Sequence, residues 1–159
     1  MKARHAMLVA LAAAFVLTSV AVAGPNAARQ RVIITTQAGQ TTNVSPFVLS
    51  TLQTGSLKGD SGKMIGDSPS GRSVMREGQE ASTYEGRATL KGKRGTLVLG
   101  YRSEWVEAGN GYGVATMTWK VVRGTGQYAG ITGGGRGASA WLESTDDWSS
   151  RMEGFLTLP

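Results

Sequence analysis

Residues 82–121 alternate between apolar and polar side chains, which is the pattern of half-buried β-strands. Three strands are predicted there, separated by glycine-containing turns at residues 92–95 and 109–111. Their apolar faces carry Tyr84, Gly86, Ala88, Leu90, Leu97, Leu99, Tyr101, Trp105, Ala115, Met117, Trp119 and Val121. The pattern therefore predicts an antiparallel sheet with one buried face.

The loop between the first two strands sets their register. An even loop centred on residues 92–95 brings both apolar faces to the same side of the sheet, with Leu90 opposite Leu97 and Gly86 opposite Tyr101. A tyrosine that covers a glycine on the facing strand packs well. This hairpin is therefore predicted with an even loop.

The next hairpin requires an odd loop. A two-residue turn at Asn110–Gly111 would place Tyr101 opposite Lys120 and put the apolar faces on opposite sides. A three-residue loop, residues 109–111, instead places Tyr101 opposite Trp119. We predict the three-residue loop, which also directs Arg102 and Glu104 to the outside.

Shorter apolar segments predict the remaining strands, although residues 58–80 contain few large apolar side chains. No segment shows a sustained helical period with helix caps. The predicted strands are residues 31–37, 47–57, 64–65, 73–75, 138–142 and 151–158, with a loop at 143–147. Short alternating strands joined by glycine-rich turns predict an all-β domain, either an antiparallel barrel or a sandwich.

The first 23 residues have the features of a cleaved secretory signal peptide. A short positive start precedes an apolar run at residues 7–17, and Ala21-Val22-Ala23 supplies the small residues of a cleavage site. An uncleaved membrane anchor is the alternative. We therefore expect a signal peptide at 1–23, a polar leader at 24–30, a single domain at 31–159, and an exported protein that is periplasmic or secreted.

Residue composition excludes several kinds of chemistry. The chain has no cysteine, and His5, its single histidine, lies in the predicted signal peptide. Histidine-based triads, cysteine nucleophiles and zinc sites built on His or Cys are therefore not expected in the mature chain. Loss of Lys2 and Arg4 lowers the net charge from +6 to +4. We expect no nucleic-acid partner, because the remaining positive charges are scattered.

Three local motifs invite functional interpretations that their surroundings do not support. The glycines at 124–130 lack the βαβ unit of a nucleotide-binding loop and instead predict a barrel corner. The Gly-Asp-Ser-Gly segment at 59–62 and the Gly-Asp-Ser segment at 66–68 lack a histidine base and predict turns. The acidic loop at 143–147 has no companion ligands at defined spacing. No catalytic residue, metal site or cofactor is therefore predicted.

The order of motifs in residues 84–137 resembles an uncharacterised bacterial domain family whose barrel is grouped with plant allene oxide cyclase. The shared motifs are Gly-Thr-Leu-Val-Leu at 95–99, Thr-Trp-Lys-Val-Val at 118–122, and Gly-Thr-Gly at 124–126 ahead of Ala-Gly-Ile at 129–131. The resemblance covers about a third of the chain and implies a small antiparallel barrel of eight strands with an apolar interior. The catalytic pocket residues of the cyclase find no matching positions here, so none is transferred.

Aromatic and apolar residues on the inward face are the candidate ligand contacts. A barrel of about eight strands is either filled by its side chains or holds one small ligand. The candidate ligand-binding residues are Leu99, Tyr101, Trp105, Met117, Trp119 and Trp141. A packed core is the alternative role for the same residues.

The function expected from these observations is non-catalytic binding of a small hydrophobic molecule inside the barrel. An isomerase or cyclase acting on a hydrophobic substrate is the first alternative, since such an enzyme needs little acid–base machinery. A structural module with a filled core is the second. Stable membrane insertion after cleavage is not expected, because the predicted outer faces carry charges such as Arg87, Arg102 and Glu104 that lipid disfavours.

Overall fold

A computed structural model describes residues 28–39, 43–67, 70–76 and 78–159. These residues form nine β-strands and one short 3₁₀ turn at Gly126–Tyr128. The strands are β1 Arg29–Gly39, β2 Val44–Thr51, β3 Asp60–Gly66, β4 Ser70–Arg76, β5 Gln79–Gly92, β6 Thr96–Gly109, β7 Tyr112–Gly124, β8 Thr132–Leu142 and β9 Asp147–Thr157. The predicted all-β class is confirmed.

Eight of the strands close into an antiparallel barrel, which confirms the predicted architecture. The order around the barrel is β3-β2-β1-β9-β8-β7-β6-β5, and pairing of β3 with β5 closes it. Strand β3 pairs with residues 88–92 of β5, whereas the extra strand β4 pairs with residues 79–85 of the same strand. Strands β3 and β4 therefore follow one another along the same edge of β5, with a break between the end of β3 at Gly66 and the start of β4 at Ser70.

The registers predicted for the central hairpins are confirmed. Leu90 pairs with Leu97 and Gly86 with Tyr101 across the β5–β6 hairpin. In the β6–β7 hairpin Tyr101 pairs with Trp119. Since β-strand faces alternate, these pairs place the predicted apolar faces together inside the barrel.

The turn that produces the second register differs from the predicted three-residue loop. Gly109 pairs with Tyr112, so the turn is the two-residue Asn110–Gly111. Both turn residues have positive φ, 54° and 73°, as a type I′ turn requires. A bulge between Glu107 and Gly109 supplies the additional residue that an odd loop would have provided.

Other strand boundaries also differ from the prediction, among them the start of β8 and the end of β2. Strand β8 begins at Thr132 rather than at the predicted Ala138, so the glycines at 133, 134, 135 and 137 belong to the strand. A side chain at Gly135 would place its Cβ 1.9 Å from the Glu153 carbonyl oxygen, so the absence of a side chain lets β8 and β9 approach. Strand β2 ends at Thr51, and Leu57 lies in the following loop rather than at the strand end.

One half of the barrel interior is filled. The end formed by the β2–β3, β5–β6 and β7–β8 connections, here called the closed end, is plugged by loop residues Leu57, Tyr128 and Ile131, which are at most 4% exposed. Strand residues complete this packed half: Val32, Ile34, Leu49, Leu90, Leu97, Leu99, Trp119 and Leu156. The opposite end, formed by the β1–β2, β6–β7 and β8–β9 connections, is here called the open end.

A buried carboxylate ties the closed end together. Asp60 Oδ1 accepts hydrogen bonds from the backbone N–H groups of Ser61, at 2.8 Å, and Lys93, at 3.0 Å. Its Oδ2 accepts one from the backbone N–H of Arg94, at 3.3 Å, and one from the Tyr128 hydroxyl, at 3.0 Å. Four donors therefore compensate the loss of water around this carboxylate and fix the β5–β6 turn against the plug.

Candidate ligand cavity

A cavity of about 310 Å³ occupies the open half of the barrel. Its walls come from β2, β3, β5, β6, β7, β8 and β9. The lining residues are Asn43, Ser45, Met64, Gly66, Asp67, Tyr84, Ala88, Leu99, Tyr101, Ser103, Trp105, Ala115, Met117, Ser139, Trp148, Ser150 and Met152. The residues of the closed-end plug are not among them, so the cavity ends where the packed half begins.

Flexible apolar side chains form the floor of the cavity. Leu99 is completely buried, and Met64 and Met152 are 8% and 4% exposed. The absence of a side chain at Gly137 makes room for two methionines, since a Cβ there would lie 2.9 Å from Met152 Cγ and 3.1 Å from Met117 Cγ. Methionine adapts its shape at low cost, so this floor can accommodate ligands of differing shape.

Tryptophan side chains surround the mouth. Trp105 and Trp148 are partly exposed, in contrast to the buried residues of the floor. The Trp105 indole lies over Gly113, where a Cβ would come within 2.4 Å of Nε1. A glycine on the facing strand therefore holds this ring against the barrel wall. The gradient from buried floor to partly exposed rings indicates that solvent reaches the cavity from the open end.

One wall of the cavity carries hydroxyl groups. Ser139 pairs with Ser150 across β8 and β9, and Ser150 pairs with Thr36 of β1. The Ser150 and Thr36 hydroxyls lie 2.8 Å apart and share a hydrogen bond. Ser103 and Ser45 add two further hydroxyls to the lining. The wall can therefore bind a polar group of a ligand while the floor covers its apolar part.

Tyr101 and Asp67 meet at the break between β3 and β4. A Cβ at Gly86 would lie 2.8 Å from the Tyr101 hydroxyl and 2.9 Å from Asp67 Oδ1, so both oxygens crowd over the same glycine. The backbone N–H of Arg87 donates a 2.6 Å hydrogen bond to Asp67 Oδ1 and fixes the carboxylate there. Burial raises the pKa of Tyr101, and the negative charge of Asp67 raises it further. The tyrosine is therefore a neutral hydroxyl near neutral pH.

The six candidate ligand contacts divide into two groups in the structure. Leu99, Tyr101, Trp105 and Met117 line the cavity. Trp119 instead packs in the filled half, where its Nε1 donates a 3.3 Å hydrogen bond to the Arg136 carbonyl oxygen. Trp141 lies at the rim, and its Nε1 donates to Asp146 Oδ1 at 2.9 Å.

Sequence reasoning missed the β9 side of the cavity. Trp148 and Ser150 lie on the same face as Met152, at intervals of two residues. Because β9 begins at Asp147 rather than at Arg151, extending the alternation backwards from Met152 would have identified both residues. The serines among the inward positions are the signal that this half of the interior is not a simple apolar core.

The outer wall carries a larger depression of about 920 Å³. Most of its lining side chains, among them Thr35, Val48, Val114 and Arg151, point away from the barrel axis. It is an open groove, so the interior cavity is the more enclosed of the two sites. Across the residues that the structure describes, no cluster of three or more His, Cys, Asp or Glu side chains could hold a metal ion.

Comparison with protein-family models, with curated proteins and with solved structures found no match to this chain. The resemblance to the allene oxide cyclase-like barrels therefore stays a prediction. Within the described part of the chain, no helix is both long enough and apolar enough to cross a bilayer. The candidate site is accordingly interpreted from its own geometry.

Proposed function

We propose that this chain is an exported barrel that binds one small, largely apolar molecule in its open half without transforming it. The observation that carries the proposal is the combination of a filled closed half with a 310 Å³ cavity above it. Binding sites for small molecules typically measure about 300–1,000 Å³, so the cavity suits a ligand at the small end of that range. The hydroxyl wall would orient the polar end of this ligand.

Native mass spectrometry of the protein purified without detergent tests the proposal. We expect an additional mass that is lost on denaturation. We also expect the mass of the polypeptide itself to be that of a chain whose first residue is Gly24. Ala115→Phe places a ring in the cavity and is expected to abolish ligand binding, because Ala115 lines it. Ala138→Phe is the matched control, since Ala138 is exposed on the outer face of the neighbouring strand.

Two results would contradict the proposal. One is that the purified protein shows only the mass of the polypeptide and binds neither fatty alcohols nor hydrophobic dyes. The other is equal ligand retention by the wild type and Ala115→Phe, which would place the ligand outside the barrel. The outer groove beside Ala138 would then be the site to examine, because Ala138 contributes to its lining.

An isomerase or cyclase is a second candidate, favoured by the meeting of Tyr101 and Asp67 at the cavity wall. A neutral tyrosine hydroxyl can donate a proton, and a nearby carboxylate can accept one. The test is to incubate the ligand found by mass spectrometry with the protein and follow any change in its structure by NMR. Conversion that is lost in Tyr101→Phe, with binding retained, would establish the enzyme and refute passive binding.

A further inference from the structure

We infer that the ligand carries a cationic amine at its polar end, held by Asp67 and the aromatic rings at the mouth. The inference rests on the proposed function, since it assigns a chemical class to the ligand of the same cavity.

The described lining contains one charged side chain, Asp67, and it is negative. No lysine or arginine occurs among these lining residues. A ligand carboxylate entering the cavity would therefore lose water without gaining a cationic partner, which is costly. An ammonium group would instead find a carboxylate that is already fixed in position by the backbone N–H of Arg87.

The aromatic rings provide a second attraction for a cation. Tyr84, Trp105 and Trp148 line the cavity toward its open end. Tyr84 is held against the wall because its ring lies over Gly71, where a Cβ would come within 2.6 Å of Cε1. The faces of such rings attract an ammonium group, with tryptophan the most effective.

Charge is distributed unequally between the two ends of the barrel. Among the described residues, exposed acidic side chains outnumber basic ones at the strand ends and turns of the open end: Glu80, Glu107, Glu143 and Asp147, against Arg76. Exposed basic residues occupy those of the closed end: Lys58, Lys91, Lys93, Arg94 and Arg123. Although the chain is basic overall, the described residues of the open end carry more negative than positive charges, which favours the approach of a cation.

Three ligands with the same alkyl chain test the inference by isothermal titration calorimetry at neutral pH: octylamine, octan-1-ol and octanoate. We expect the amine to bind about tenfold more tightly than the alcohol, given one ion pair with the exposed Asp67 and the aromatic contacts. Octanoate is expected to bind most weakly. Because the preference is electrostatic, it should decrease as sodium chloride is added.

Asp67→Asn is the decisive variant. The amide oxygen of asparagine can still accept the hydrogen bond from Arg87, so the local structure should be retained. We expect this variant to bind the alcohol as the wild type does and to lose most of its preference for the amine. Glu153→Gln removes a carboxylate from the outer wall and should leave the preference unchanged, which controls for overall charge.

The outcomes separate this inference from the proposed function. Equal affinities for the amine and the alcohol, or tightest binding of octanoate, would overturn the inference and leave the proposed binding function of the cavity unaffected. A preference for the amine that survives in Asp67→Asn would also overturn it. Failure of all three ligands to bind would refute the inference and count against the proposed cavity function as well.

Discussion

Replacing Tyr128 with phenylalanine tests the packing that closes one end of the barrel. The ring is completely buried in the plug, so the phenylalanine ring keeps the apolar contacts. The substitution removes only the hydroxyl group, which donates a 3.0 Å hydrogen bond to Asp60 Oδ2. The experiment therefore isolates one polar interaction in a site that is otherwise unchanged.

The magnitude follows from the kind of hydrogen bond that is lost. A hydrogen bond to a charged group contributes about 1.5–3 kcal/mol to stability. Asp60 Oδ2 retains the backbone N–H of Arg94 at 3.3 Å, so the carboxylate is not left without a donor. We therefore expect Tyr128→Phe to lower the free energy of unfolding by about 1.5–3 kcal/mol.

The pH dependence gives a second, independent readout. Burial raises the pKa of Tyr128 well above its usual value, and its hydrogen bond to Asp60 acts in the same direction. Since the folded-state pKa is raised, the stabilisation is fully present below the unfolded pKa of about 10 and is lost as the pH rises toward the folded value. The difference between wild type and Tyr128→Phe should therefore shrink above about pH 10.

Urea unfolding followed by tryptophan fluorescence measures both effects. Tyr112→Phe is the matched control, because this tyrosine is 50% exposed at the β6–β7 turn. Its unfolding free energy should be close to that of the wild type at every pH. A Tyr128→Phe variant as stable as the control, or a stability difference that stays constant into the alkaline range, would refute the reasoning.

Three further predictions concern the barrel wall and the cavity. Gly154→Ala should lower the free energy of unfolding in urea by about 1–3 kcal/mol, because the new Cβ would lie 2.3 Å from a carbonyl oxygen of β8. Gly66→Ala is the control and should not lower it, because the space around a Cβ at Gly66 is open. Met152→Ala should lower the free energy of unfolding by about 2–5 kcal/mol. Since Met152 lines the cavity floor, the variant should also bind bulkier ligands than the wild type does, as measured by calorimetry. The hydrogen bond from Arg151 lowers the pKa of Glu153. The stabilisation of the folded state by the ionised Glu153 should therefore be present at neutral pH and be lost as the pH falls through the folded-state pKa. An ordinary glutamate pKa for Glu153, measured by NMR titration, would contradict this.

The registers of the central hairpins could be predicted because they depend on local parity. An odd number of intervening residues was required to keep Tyr101 and Trp119 on one face. The structure meets that requirement with a two-residue turn and a bulge, so the register was correct although the predicted loop was wrong. The outward direction of Arg102 and Glu104 follows from the same parity, as their pairing with Thr118 and Thr116 shows.

The location of the cavity could not be predicted in the same way. Trp105 and Trp119 share one inward face in the sequence, yet only Trp105 lines the cavity. The Trp119 indole donates a hydrogen bond to the Arg136 carbonyl oxygen of β8 and lies against Gly154 of β9, where a Cβ would come within 2.6 Å of Cζ2. Its burial therefore requires three strands to be brought together. Position along the barrel axis, and not position on a face, decides between core and cavity.

The alternation of apolar and polar residues determined by itself that this chain forms an antiparallel all-β domain with one buried face, because the two faces of a strand alternate from residue to residue. Only the tertiary structure decided which half of the barrel is filled. Leu57 of the β2–β3 loop meets Tyr128 and Ile131 of the distant β7–β8 connection at one end, where Asp60 links Tyr128 to the β5–β6 turn. Contacts between such distant segments produce no periodic pattern in the sequence, so the hollow half can be identified only from the tertiary structure.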